Sequence, residues 1–197
     1  VCARVPTQTS LAVSRRETPT LADQIMVFPG ALSDPHCQQL IDRFEACDGL
    51  EACHREGGHS FTQLNITRAW PDEHERLLAV FLAHFNRYQD AMGAGFWPAA
   101  FAVEHLRIKR YRPGGGDAFP PHVDVVDQIS ARRFMTAMIY LNAPAGGETA
   151  FPSLDIAIAP ETGKLLAFPP LWLFPHEGLP PRLGPKYILH TYLCYGT

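Results

Sequence analysis

The sequence predicts a mainly β protein with N-terminal helices, in which two helices pack against a jelly-roll-like double sheet. Three observations lead there. From Phe101 onward, short β-prone runs alternate with the glycine and proline clusters PGGG, APAGG and GLPPRLGPK, the punctuation of antiparallel strands joined by turns. Ahead of that point, two stretches carry apolar residues at helical spacing. The length of 197 residues and the 46% hydrophobic content, without an internal repeat, suit one core rather than several.

Taken in order, residues 1–24 are rich in Thr, Ser, Pro and Arg and lack an apolar period, so they read as a flexible N-terminal arm. The start at Val1 rather than Met is compatible with a removed leader. A single domain is expected over 25–197, with a helical part at 25–100 and a β core at 101–197. Ile25 to Phe28 is a short apolar run closed by Pro29-Gly30. Ser33-Asp34-Pro35 then offers a cap with proline in the first turn, Leu40, Ile41 and Phe44 form the buried stripe of the first helix, and Gly49 stops it. A polar connection around Gly57-Gly58 leads to the second helix. It begins after Pro71, carries Leu77, Leu78, Phe81, Leu82, Phe85 and Tyr88 on one face, and ends at Gly93. Strands are expected at Phe101 to Tyr111, Phe134 to Leu141, Glu148 to Phe151, Lys164 to Phe168 and Lys186 to Tyr195.

Composition excludes several functions. A net charge of -3 from 17 basic and 20 acidic residues, mixed along the chain, provides no basic stripe for nucleic acid. No apolar run reaches the length of a membrane span. The five cysteines are odd in number and scattered without C-x-x-C spacing, as expected of reduced thiols in a cytoplasmic protein rather than a zinc or disulfide framework.

Chemistry concentrates at His122-Val123-Asp124. In extended backbone, residues two apart project to the same side, so an imidazole and a carboxylate can meet one metal ion. A third ligand from a later strand, for which His176 is the candidate, would complete the two-His, one-carboxylate set that leaves three coordination positions open on iron. Ten residues beyond His176 stands Lys186, at the head of YILHTYLCY. Strand alternation puts Lys186, Ile188, His190, Tyr192 and Cys194 on one face. A cation there can hold a carboxylate near the metal; a solvated strand-end lysine is the competing reading.

The segments RYRPGGG, HVD, YLNAPAGGETAFP and HEGLPPRLGPK, in this order over roughly 101–195, resemble the prolyl 4-hydroxylase-like family of Fe(II)- and 2-oxoglutarate-dependent dioxygenases. The resemblance implies a distorted double-stranded β-helix of the cupin-like jelly-roll kind, with Fe(II) on His122, Asp124 and His176. It implies 2-oxoglutarate as cosubstrate on Lys186, with Tyr111, Thr149 and Tyr192 beside it, dioxygen as oxidant and ascorbate as reductant. The implied reaction is hydroxylation of an unactivated C–H bond, coupled to decarboxylation of 2-oxoglutarate to succinate. Two departures from the family pattern bear on specificity. The gap from Tyr111 to His122 is lengthened by PGGGDAF, and Tyr192 stands where prolyl hydroxylases often carry tryptophan.

Substrate residues are expected around these positions. On a strand through Tyr111, residues Lys109 and Arg107 share the tyrosine's face, which suggests an anionic substrate such as a small acid or free amino acid. Arg132, with Arg133 beside it, could close over such an anion from a loop. Phe119 and Trp172, near the ligands in sequence, are expected as apolar walls. A small-molecule or amino-acid substrate leads; a peptidyl-proline substrate and a non-catalytic sensor that binds metal and 2-oxoglutarate are the alternatives. No nucleic-acid or membrane partner is expected, and the sequence specifies no oligomeric state.

Overall fold

A computed structural model describes residues 20–55, 58–93, 97–114, 117 and 119–196. Most of the arm expected at 1–24, and Gly57 of the expected connection, lie outside these residues. Two helices form where the apolar spacing places them. Helix α1, Asp34–Glu45, has Pro35 in its first turn and buries Cys37, Leu40, Ile41 and Phe44, a stripe of one helical face. After the single turn of α2, Ile66–Ala69, helix α3 spans Pro71–Met92 and buries Leu77, Phe81, Phe85 and Tyr88. It ends where Gly93 turns left-handed, at φ 59°, a conformation open to glycine without a Cβ penalty. No described helix is long and apolar enough to cross a membrane.

These helices cover one face of an eight-stranded antiparallel sheet. Its central strand, Lys186–Tyr195, has the predicted bounds. Arg133–Tyr140 pairs on one side of it, and Arg107–Tyr111 and Phe101–Val103 on the other. Period-two alternation divides each strand between two cores. Met135, Ala137, Ile139, Leu189 and Leu193 join the helices in one core, together with Leu106 and Ile108. Met138, Tyr140, Tyr111 and Ile188 face the other way, into a second core with Phe151, Phe168 and Phe174. A four-stranded sheet, running Ile156–Ile158, Thr149–Phe151, His176–Gly178, Phe119–His122 in spatial order, closes over that second core. Two facing antiparallel sheets make this the expected jelly-roll, double-stranded β-helix fold.

Two of the differences from expectation bear on the strand that carries Tyr111. The strand expected over Phe101 to Tyr111 is broken between Val103 and Arg107. There Leu106 turns to the 66–69 helix, with its N–H on Thr67 Oγ1 and its carbonyl accepting from Ile66 N–H. The polar connection around Gly57-Gly58 is a hairpin, Glu51–Arg55 with His59–Asn65, whose second strand pairs with Arg107–Tyr111. Its residues are too polar to signal a strand alone, and tertiary pairing supplies what local propensity does not.

Candidate metal centre and cosubstrate cavity

His122 and His176 face each other across paired strands of the smaller sheet, with ring centroids 4.3 Å apart. The His122 strand begins FPPH. Two prolines fit there because it is an edge strand, where missing N–H donors cost no ladder bond. Asp124 follows just past the strand end and turns its carboxylate to both imidazoles. His122 Nε2 lies 3.6 Å from Asp124 Oδ1, and His176 Nε2 lies 3.6 Å from Oδ2. The ligand atoms of the three residues fall within 4.8 Å of one another.

Hydrogen bonds set these side chains for a cation. His122 Nδ1 donates to the Pro120 carbonyl at 2.8 Å, and His176 Nδ1 to the Phe174 carbonyl at 3.0 Å. With the proton fixed on Nδ1, each Nε2 presents its lone pair inward. Asp124 Oδ2 is buried and accepts no hydrogen bond, which leaves it to a metal. Burial lowers the His176 pKa and keeps the imidazole neutral, as a ligand must be. The donor set therefore fits a divalent metal, and two imidazoles with one carboxylate on one side fit non-haem iron.

From this centre a narrow cavity runs between the sheets to Lys186. Lys186 is 3% exposed and its Nζ lies over the rings of Tyr111 and Tyr140, at 5.7 and 5.5 Å from their centroids. Among the described residues no carboxylate pairs with it, and burial pushes its pKa down to about 8. It is thus a cation at the dry end of a cavity whose other end is the metal centre, the complement of a dicarboxylate. Thr149 lines the same cavity and accepts a 2.7 Å hydrogen bond from Tyr140. Gly147, at φ 78° just before it, passes close under the lysine, where an added Cβ would stand 3.1 Å from Lys186 Cδ.

The structure brings most of the predicted site residues together. Tyr111, Thr149, Lys186, Tyr192, Lys109 and Phe119 line this cavity with His122, Asp124 and His176, so the long PGGGDAF loop does not displace Tyr111, which pairs with Lys186 across the sheet. Arg107 lies further out, in a wider cleft that Lys109 and Phe119 also line. Two predicted residues are not brought there. Trp172 is 75% exposed and lines neither space, because the turn around it points outward. Arg132 is exposed, and its neighbour Arg133 takes the place at the cleft. His190, facing both spaces and bonded to Thr136 at 3.1 Å, went unassigned, although its shared face with Lys186 was the signal.

Residues 106–194 match the family model described as the 2OG-Fe(II) oxygenase superfamily. No curated protein matches the chain. Among solved structures, the fold is similar to the viral collagen prolyl hydroxylase of Paramecium Bursaria Chlorella virus-1 in complex with 2OG, with a TM-score of 0.64 and 23% identity over 88% of this chain and 97% of that one. A prolyl-4-hydroxylase from Pseudomonas putida superposes with a TM-score of 0.67 and 19% identity, covering 88% and 94% of the two chains. The Trichoplax adhaerens prolyl hydroxylase, solved with a hypoxia inducible factor oxygen degradation domain peptide fragment, gives 0.68 and 16%, covering 87% and 84%. At these identities the structural likeness establishes the fold, and the matched segment carries the cluster of His122, Asp124 and His176. Residues 106–194 thus match a domain of the 2OG-Fe(II) oxygenase superfamily, and with the cluster of His122, Asp124 and His176 inside that segment the chain reads as a 2-oxoglutarate-dependent dioxygenase that uses Fe(II), 2-oxoglutarate and dioxygen.

Proposed function

We propose that His122, Asp124 and His176 hold the iron, that Lys186, Tyr111 and Thr149 receive 2-oxoglutarate, and that the enzyme hydroxylates a C–H bond of a small anionic molecule or free amino acid. Bound iron supplies the redox chemistry that side chains lack, coupling decarboxylation of 2-oxoglutarate to hydroxylation. The protein's part is placement and exclusion of water. Lys186 pairs with the distal carboxylate of the cosubstrate, and Phe119, Met138 and Ile188 keep the cavity apolar between the two charged ends.

The observation that carries the substrate class is the sign of charge in the outer cleft. Besides Asp124, its acids are Glu104 and Asp127. Glu104 is held by Arg133 through two 2.9 Å hydrogen bonds, and Asp127 caps its own turn through Ser130. Arg107 and Lys109 line the path a substrate takes to the metal centre, and their positive charge favours an anion. The prolyl hydroxylases among the similar structures, one of them solved with a peptide, favour a second reading, hydroxylation of a prolyl residue in a protein, for which the wide cleft leaves room.

The test is succinate formation from 2-oxoglutarate by iron-loaded protein, in parallel with small acids, free amino acids and proline-rich peptides. Stimulation by an acid or amino acid supports the first reading. Stimulation by peptides alone transfers the assignment to the second. Absence of succinate above the iron-free control in every reaction would overturn both.

A further inference from the structure

We propose that Tyr192 is a positioning residue that holds the metal's carboxylate ligand in single-oxygen coordination; the proposal rests on the reading of Asp124 as a ligand. The Tyr192 hydroxyl donates to Asp124 Oδ1 at 2.7 Å. Oδ2 accepts nothing and lies beside His176 Nε2. The two oxygens are thereby made unequal, one bound to the protein and the other offered to the cation. A carboxylate free to rotate could present both oxygens and occupy one of the three positions that the cosubstrate and dioxygen require.

Tyr192 is itself immobilised by an ordered chain of contacts. It is 8% exposed, and its ring lies 3.9 Å beneath the Arg133 guanidinium, a stacking that fixes the plane of the phenol. Glu104 holds that guanidinium along its edge in a bidentate pair. Cys194 Sγ donates to Glu104 Oε1 at 3.2 Å, and Arg133 Nη1 reaches the Asp124 carbonyl at 3.4 Å. Backbone and side chain of the ligand are thus both anchored to one buried cluster. Partners of this outer kind orient ligating carboxylates, and losing one weakens metal binding about 10- to 100-fold.

The experiment uses Co(II) as the probe with full-length protein carrying Tyr192→Phe, which deletes one oxygen and keeps the ring under Arg133. Wild type is expected to bind one Co(II) per chain, and His122→Ala to lose it. Tyr192→Phe should keep its thermal midpoint, raise the Co(II) Kd about 10- to 100-fold and change the intensity of the Co(II) d–d bands as Asp124 turns. A wild-type Kd and unchanged bands in Tyr192→Phe would overturn the positioning role. Wild-type Co(II) binding in His122→Ala would overturn the ligand assignment itself, and the positioning role with it. Should Tyr192→Phe fail to fold, Arg133→Met, which leaves the hydroxyl and frees the ring, should raise the Kd in the same direction; an unchanged Kd there overturns the proposal.

Discussion

Replacing Lys186 by methionine isolates the charge that the cosubstrate is expected to meet. Methionine keeps the chain's length and its packing on Tyr111 and Tyr140 while removing the ammonium group. Because Lys186 is 3% exposed, water cannot take over its role. Truncating one partner of a buried, hydrogen-bonded charge pair costs about 2–5 kcal/mol. At 1.4 kcal/mol per tenfold, the Kd for 2-oxoglutarate should rise at least about 30-fold and by up to about 4,000-fold. Without cosubstrate the variant should lose no stability, since burial already disfavours the charged lysine. Calorimetry on Mn(II)-loaded protein measures the first quantity and a thermal melt the second. A 2-oxoglutarate Kd within about threefold of wild type, in a folded variant, would refute the pairing.

Four further outcomes are expected. His122→Ala or Asp124→Ala should abolish succinate formation while leaving the far-ultraviolet circular dichroism intact, and full turnover in either would refute the ligand assignment. The Lys186 pKa is depressed to about 8 from 10.5, so 2-oxoglutarate binding should be strongest below pH 8 and weaken as pH rises through it. Over pH 8–10.5 the unfolded chain holds this proton and the folded one does not, so unliganded stability should gain on the order of 3 kcal/mol from Lys186 across that window. Denaturant melts of wild type against Lys186→Met would show whether that slope belongs to this residue. Phe44, fully buried with its ring 6.0 Å from Tyr187, joins α1 to the large sheet; Phe44→Ala should cost about 3–5 kcal/mol of unfolding free energy, and a loss below 1 kcal/mol would mean that this core is not shared.

Local pattern made much of this protein legible. The face of α3 from Leu77 to Tyr88, its stop at Gly93 and the alternation of Lys186–Tyr195 follow from periods of 3.6 and 2, which any reader of the chain can count. His122 and Asp124 could be paired for the same reason, since two residues in extended backbone share a side. The hairpin at 51–65 was not legible, because its polar strands acquire their identity from pairing with Arg107–Tyr111 rather than from their own propensity. Trp172 and Arg132 show the converse: closeness in sequence to a ligand does not place a side chain in its cavity.

What the sequence by itself determined was the period of each main element and the order of the chemically competent residues. Only the tertiary structure decided which of them meet. Tyr192 reaches Asp124 across 68 residues of chain, and Arg133 reaches Glu104 across 29. Such contacts depend on how two twisted sheets stack, a property of the whole packed molecule that no local window of sequence contains.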